Sequence, residues 1–95
     1  MVIEWLVEAR VEFKHHIRYI HDRNRAAASR IEAEILRRVG TLKRFPFVGK
    51  LGREAGSREL VIIGTPYVVI YTVDDNVIQI IHVIHTSQQW PPEED

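Results

Sequence analysis

The sequence predicts an α+β fold in which a helical hairpin packs on one face of a twisted antiparallel sheet, in the order strand, helix, helix, strand, strand, strand. Three observations carry this expectation. Two consecutive segments repeat apolar residues at helical spacing, β-branched and aromatic runs fill the last third of the chain, and short turn-rich breaks separate those runs.

Val2 to Leu6, with Val2, Trp5 and Leu6 apolar, reads as a short first strand that must pair at a sheet edge. From about Glu8 to Asp22, Ala9, Phe13, Ile17 and Ile20 form one stripe, while Arg10, Lys14, Arg18 and Arg23 take other faces, which describes an amphipathic helix. Asn24 is placed to cap a second helix, whose stripe of Ala28, Ile31, Ile35, Val39 and Leu42 runs through Lys43 and encloses Gly40. The junction at Asp22–Arg25 is tight enough to make the two helices antiparallel. Pro46, Gly49 and Gly52 then end the helix and open a surface loop that continues to about Gly56. Leu60–Ile63, Tyr67–Val73 and Val77–Ile84 read as strands, and the breaks Gly64-Thr65-Pro66 and Asp74-Asp75-Asn76 join them as hairpins into a meander. No internal repeat or low-complexity tract interrupts the pattern, so one domain over residues 1–95 is expected.

Composition narrows the chemistry. A chain of 95 residues with 45% hydrophobic and 27% charged residues belongs with ordinary globular folds. At this length roughly 60–65% of the unfolded surface can be buried, so a permanent partner would add needed stability. The absence of cysteine removes disulfides, thiolate catalysis and Cys-based zinc sites, and it suits a reducing compartment. No apolar run approaches the roughly 20 residues of a membrane span, and Met1-Val2-Ile3-Glu4-Trp5 lacks the plan of a signal peptide, so a cytoplasmic location away from membranes is expected. Thirteen basic side chains balance thirteen acidic ones, which leaves no overall field for nucleic acid. The distribution is uneven nonetheless. Basic residues dominate between Arg10 and Arg58, whereas Pro91-Pro92-Glu93-Glu94-Asp95 ends the chain with acidic charge alone.

Four groups of residues then align with a family pattern: Leu42-x-x-x-Pro46-x-x-Gly49, Arg58-Glu59-Leu60, Pro66-Tyr67-Val68-Val69-x-Tyr71, and Val83-x-His85-Thr86-Ser87-x-Gln89-Trp90-Pro91. Together, in this order and on this topology, they resemble the ParE branch of the RelE/ParE toxins of type II toxin–antitoxin systems. The resemblance implies a toxin that a cognate antitoxin protein holds inactive. RelE-like members cut ribosome-bound mRNA with basic residues on the second and third strands, an arginine after the last strand, and often a C-terminal Tyr or His. ParE-like members inhibit DNA gyrase and need no hydrolytic constellation. In the register of the resemblance, the nuclease positions fall on Glu59, Val61, Val68 and Gln88. Cleavage by a 2′-hydroxyl needs a base, an acid and cationic stabilisation of the phosphate, and only Arg58 and His85 are candidates for that work here. A gyrase inhibitor is therefore the first expectation. The alternatives are a ribosome-dependent mRNA endonuclease built on Arg58 and His85, and a detoxified relative marked by Gln88.

The residues expected to meet the target are Arg58, His85, Gln88 and Trp90, and each has a plainer role to set beside that one. His85 is the conventional acid/base candidate near the C-terminal motif, or a strand-end imidazole that orders the tail. Arg58 binds phosphate, carboxylate or target, or forms an ion pair at a strand end. Trp90 anchors a partner, or caps the core where the chain leaves the sheet. Tyr67 and Tyr71 share a strand face and are expected as core or groove walls whose hydroxyls need partners. Lys43, Arg44, Lys50 and Arg53 surround the Gly- and Pro-bearing loop and read as a solvated basic surface rather than a nucleic-acid site. His82 and His85 point to opposite faces of a strand, and His15, His16 and His21 lack the spacing of a helical metal site, so neither a metal nor another cofactor is expected.

Overall fold

Asn24 starts the second helix as its position in the sequence requires, because its side-chain oxygen accepts the Ala27 amide at 3.0 Å. The computed structural model describes residues 1–92, so the acidic end Glu93-Glu94-Asp95 lies outside the described residues. Its elements are β1 (Val2–Trp5), α1 (Val7–His21), α2 (Arg25–Thr41), β2 (Lys50–Leu51), β3 (Arg58–Ile62), β4 (Tyr67–Asp74) and β5 (Val77–His85). Both helices and the three long strands follow the apolar periodicity to within a few residues. Gly40 sits inside α2 and interrupts nothing. Among the described residues, no helix is long and apolar enough to cross a membrane.

The strands form one sheet in the order β1-β5-β4-β3-β2. The meander β3-β4-β5 is antiparallel, with hairpin turns that place Gly64 at φ 83° and Asp75 at φ 51°, left-handed conformations that glycine and aspartate tolerate best. Two features depart from the sequence expectation. β1 takes the predicted edge but runs parallel to β5, because the chain crosses over through the helical hairpin before it enters the sheet, and the sheet is therefore mixed. β2 lies within the span expected as loop. Its two residues, paired as Lys50 with Glu59 and Leu51 with Arg58, are too few to leave a period in the sequence.

The main core lies between the sheet and the hairpin. The stripes of α1 and α2 supply Ala9, Ile31, Ile35, Val39 and Leu42, and the strands answer with Leu60, Ile62, Val69, Tyr71, Ile78 and Ile80. At about 25 cal/mol per Å² of apolar surface, this burial is the leading stabilising contribution. The other face of the sheet is apolar as well. Val68, Ile70 and Ile84 form a second cluster, against which Ile81 and Trp90 pack. Five successive β4 residues, Tyr67 to Tyr71, are consequently buried, which is why that strand reads as a continuous apolar run rather than an alternation. A bulge at Ile81, where β4 passes from Ile70 to Tyr71, turns Ile81 and His82 toward the Trp90 side.

Candidate functional site

The four residues expected at the site occupy three separate places. His85 and Gln88 border a pocket between α1 and the ends of β4 and β5, Arg58 lies at the opposite end of the meander, and Trp90 covers the far face of the sheet. Arg58 pairs with Tyr71 and His85 with Tyr67, so four residue steps along β4, roughly 13 Å at strand rise, separate them. They cannot converge on one phosphate.

The pocket has a volume of about 560 Å³, with aliphatic walls from Ile20, Ile31 and Pro66. Tyr67 is its buried floor, held between the imidazoles of His16 and His85 at ring separations of 5.0 and 5.3 Å. Burial pushes the Tyr67 phenol up from its ordinary range, and the neighbouring Tyr19 phenol adds to the effect. At the strand end, His85 Nδ1 accepts the Ser87 amide at 3.0 Å and lies 2.7 Å from the Ser87 hydroxyl. An Nδ1 that accepts an amide carries no proton, which leaves Nε2 as the ring's N–H. Gln88 completes the turn by accepting the His85 amide on its side-chain oxygen at 2.6 Å. The tail-ordering role foreseen for His85 is therefore realised. Among the described residues, nothing accepts from its Nε2–H.

Beside the pocket, α1 closes the sheet edge. β1 covers β5 only from Val77 to Ile80, which leaves the later residues of β5 with a strand neighbour, β4, on one side alone. Glu12 accepts the Val83 amide at 3.1 Å and sits 3.0 Å from His82 Nδ1, while His16, one helical turn later, donates Nε2–H to the Val83 carbonyl at 2.9 Å. Burial holds the His16 imidazole below its ordinary pKa, opposed chiefly by this hydrogen bond. Sequence reasoning missed the pair. Its trace was a carboxylate and an imidazole at i and i+4 flanking the apolar stripe, a spacing that suits one shared task.

On the far face, the register positions of a nuclease hold an apolar and self-neutralised surface. Val68 belongs to the cluster under Trp90, and Val61 is exposed. The Glu59 side chain is only 1% exposed; it accepts the Arg53 amide at 3.1 Å, and Arg53 Nε and Lys50 Nζ lie 3.6 and 3.9 Å away. Arg53 also donates to the Trp90 carbonyl at 2.9 Å and so ties the tail to the sheet. Trp90 packs 4.6 Å from the His82 ring and buries its indole N–H without a partner among the described residues.

Among the described residues, Arg58 pairs with no carboxylate. It donates to the carbonyls of Gly49 and Phe47 at 2.8 and 3.2 Å, with its guanidinium 5.1 Å from the Phe47 ring. Tyr71 braces the same loop, donating to the Pro46 carbonyl at 2.8 Å and accepting the Gly49 amide at 2.9 Å. A Cβ at Gly49 would fall 2.6 Å from the Tyr71 hydroxyl, which accounts for glycine there. Pro46, Gly49, Arg58 and Tyr71 thus form one structural unit that displays Phe45, Phe47 and Val48 to solvent. Among the described residues, no group of three His, Cys, Asp or Glu side chains could hold a metal ion.

Comparison with known proteins agrees with this geometry. Residues 3–90 match the family described as ParE toxin of type II toxin-antitoxin system, parDE. A protein of Sinorhizobium fredii (strain NBRC 101917 / NGR234), named "Putative toxin Y4kP", is 35% identical over 89 residues, covering 94% of this chain and 92% of its own length. Among solved structures, a chain of the chromosomal ParDE TA system from P. aeruginosa superposes with a TM-score of 0.81 at 18% identity, covering 90% of this chain and 95% of that one. The last likeness speaks to the fold.

Proposed function

Given that the chain belongs to the ParE toxin family of type II toxin–antitoxin systems, we propose that it acts in the cytoplasm as an inhibitor of DNA gyrase, neutralised by a cognate antitoxin. The observation that carries this reading is the far face of the sheet. Where a ribosome-dependent nuclease of the superfamily would project cations, this chain has Val61, a Val68 buried under Trp90, and a Glu59 neutralised by Arg53 and Lys50. A developing phosphorane charge would meet aliphatic groups there, and loss of one charge-assisted contact typically costs ~10²-fold or more in rate. Arg58 and His85 cannot compensate at their separation. Inhibition by binding needs only a surface, and the reading assigns target contact to His85 and Gln88 at the pocket mouth, with Arg58 and Trp90 as positioning residues.

Induction of the chain alone in bacteria tests this. The expected outcome is filamentation and DNA-damage signalling with messages intact, and Gln88→Arg should deepen growth inhibition by adding a charged fork at an exposed site. Codon-positioned breaks in translated messages, without those signs, would contradict the reading.

A further inference from the structure

The pocket above Tyr67 has a composition that selects its occupant. Among the described residues, none that lines it is acidic, and its aliphatic walls surround the Tyr67 hydroxyl and the His85 ring. Tyr67 is 3% exposed as a residue, and its hydroxyl makes no hydrogen bond among the described residues; unlike the Trp90 indole N–H, that hydroxyl is not sealed from solvent. This contrasts with Tyr71, whose hydroxyl makes two bonds. His85 spends Nδ1 on Ser87 and keeps Nε2–H. At the rim, the Arg23 guanidinium lies 3.6 Å from the centroid of Tyr19, adding positive charge beside the opening.

We propose that this pocket receives a glutamate side chain of the antitoxin, with its carboxylate accepting from Tyr67 Oη–H and His85 Nε2–H and its methylenes against Ile20, Ile31 and Pro66. The proposal rests on the reading of the chain as one half of a toxin–antitoxin pair. A carboxylate supplies acceptors for the Tyr67 hydroxyl and the His85 Nε2–H, and the aliphatic stem suits the walls. A nucleic-acid phosphate fits less well: its affinity comes from several Lys and Arg contacts, and the pocket lining has none. Since His85 and Gln88 are also the proposed target contacts, the glutamate would neutralise the toxin by occupying the surface the target needs.

The test uses the purified chain and the peptide N-acetyl-Leu-Glu-Leu-amide, with its Leu-Gln-Leu counterpart as control and a ten-residue oligothymidylate as the phosphate probe. Ring resonances of Tyr67 and His85 report the binding. The glutamate peptide should shift both and bind about tenfold more tightly than the glutamine peptide, the expected difference for a charge-assisted pair. Tyr67→Phe should remove most of that preference while leaving the melting temperature unchanged or higher, because it deletes a hydroxyl with no partner. His85→Ala carries the same expectation for binding and serves if Tyr67→Phe does not fold. Equal affinity for the two peptides would overturn the proposal. So would an unaltered preference in the variants, or tighter binding of the oligothymidylate at these same rings. The titration involves neither gyrase nor ribosomes, so a failure of the gyrase reading would show in the cellular assay and not here.

Discussion

Glu12 accepts the Val83 amide at 3.1 Å across 71 residues of sequence, so a helix side chain stands where the next strand of the sheet would be. With His16 on the Val83 carbonyl, α1 satisfies the donor and the acceptor of an edge residue that β1 is too short to reach. The same carboxylate holds His82, whose ring meets Trp90 on the far face. Glu12 thereby connects the two sides of the sheet.

Glu12→Ala should destabilise the chain by about 1–3 kcal/mol, the cost of stranding a buried amide and its neighbouring imidazole. Urea denaturation followed by circular dichroism measures this. Glu12→Gln should recover part of the loss, since an amide oxygen still accepts from Val83. A neutral effect of Glu12→Ala would show that water replaces the carboxylate at no cost.

His16 makes stability depend on pH with a definite sign. Its folded pKa lies below the ordinary value of 6.5, mainly through burial, so the unfolded chain binds the proton more readily. Stability linked to His16 is therefore complete above about pH 6.5 and is lost as pH falls through the folded value. His15 and His85 push in the same direction and Glu12 opposes them, so the informative quantity is the difference from His16→Gln. Urea midpoints at pH 5 and pH 7.5 should differ less in His16→Gln than in the wild type. Parallel changes in both would assign the dependence to other groups.

Tyr71→Phe should loosen the loop from Pro46 to Gly49 while leaving the core packed. The Gly49 amide and the Pro46 carbonyl would each lose a partner, at about 1–3 kcal/mol in total, and Arg58→Ala should act on the same loop through Gly49 and Phe47. Hydrogen exchange reads this directly. Faster exchange of the Gly49 amide in Tyr71→Phe, with the amides of β4 and β5 unchanged, is the expected pattern.

Much of this architecture was legible in the sequence. Periodicity marked both helices and the three long strands because each buries one continuous stripe or run, and Asn24 and Gly64 signalled a cap and a turn through local backbone chemistry. β2 escaped notice because two residues have no period. The parallel pairing of β1 depends on a crossover that no local signal encodes. His85 stood in the C-terminal motif and Gln88 at the position that follows the last strand in the register of the resemblance, and both line one pocket. For Arg58 the sequence offers target contact or a strand-end ion pair, and it does not reveal the bonds to carbonyls of the preceding loop, a partnership only the folded register creates. Glu12, His16 and Arg53 were missed for a similar reason. Their partners lie 71, 67 and 37 residues away, beyond any local pattern.

Trp90→Ala should lower stability by about 2–3 kcal/mol, less than a fully buried indole because the residue keeps partial exposure. Trp90→Phe should retain most of the stability, since the indole N–H it removes is buried without a partner among the described residues. Thermal denaturation distinguishes the two. If Trp90→Ala lost toxicity with unchanged stability, Trp90 would be a target contact rather than the cover of the far face.

The proposed mode of action, binding DNA gyrase without cutting RNA, can be tested in one pair of assays. Purified chain, free of antitoxin, should be added to gyrase with relaxed plasmid and, in parallel, to a reconstituted translation system whose message is mapped by primer extension. Inhibited supercoiling and an intact message are the expected result. Codon-positioned cuts that vanish in His85→Ala and in Arg58→Ala, with supercoiling unaffected, would contradict it.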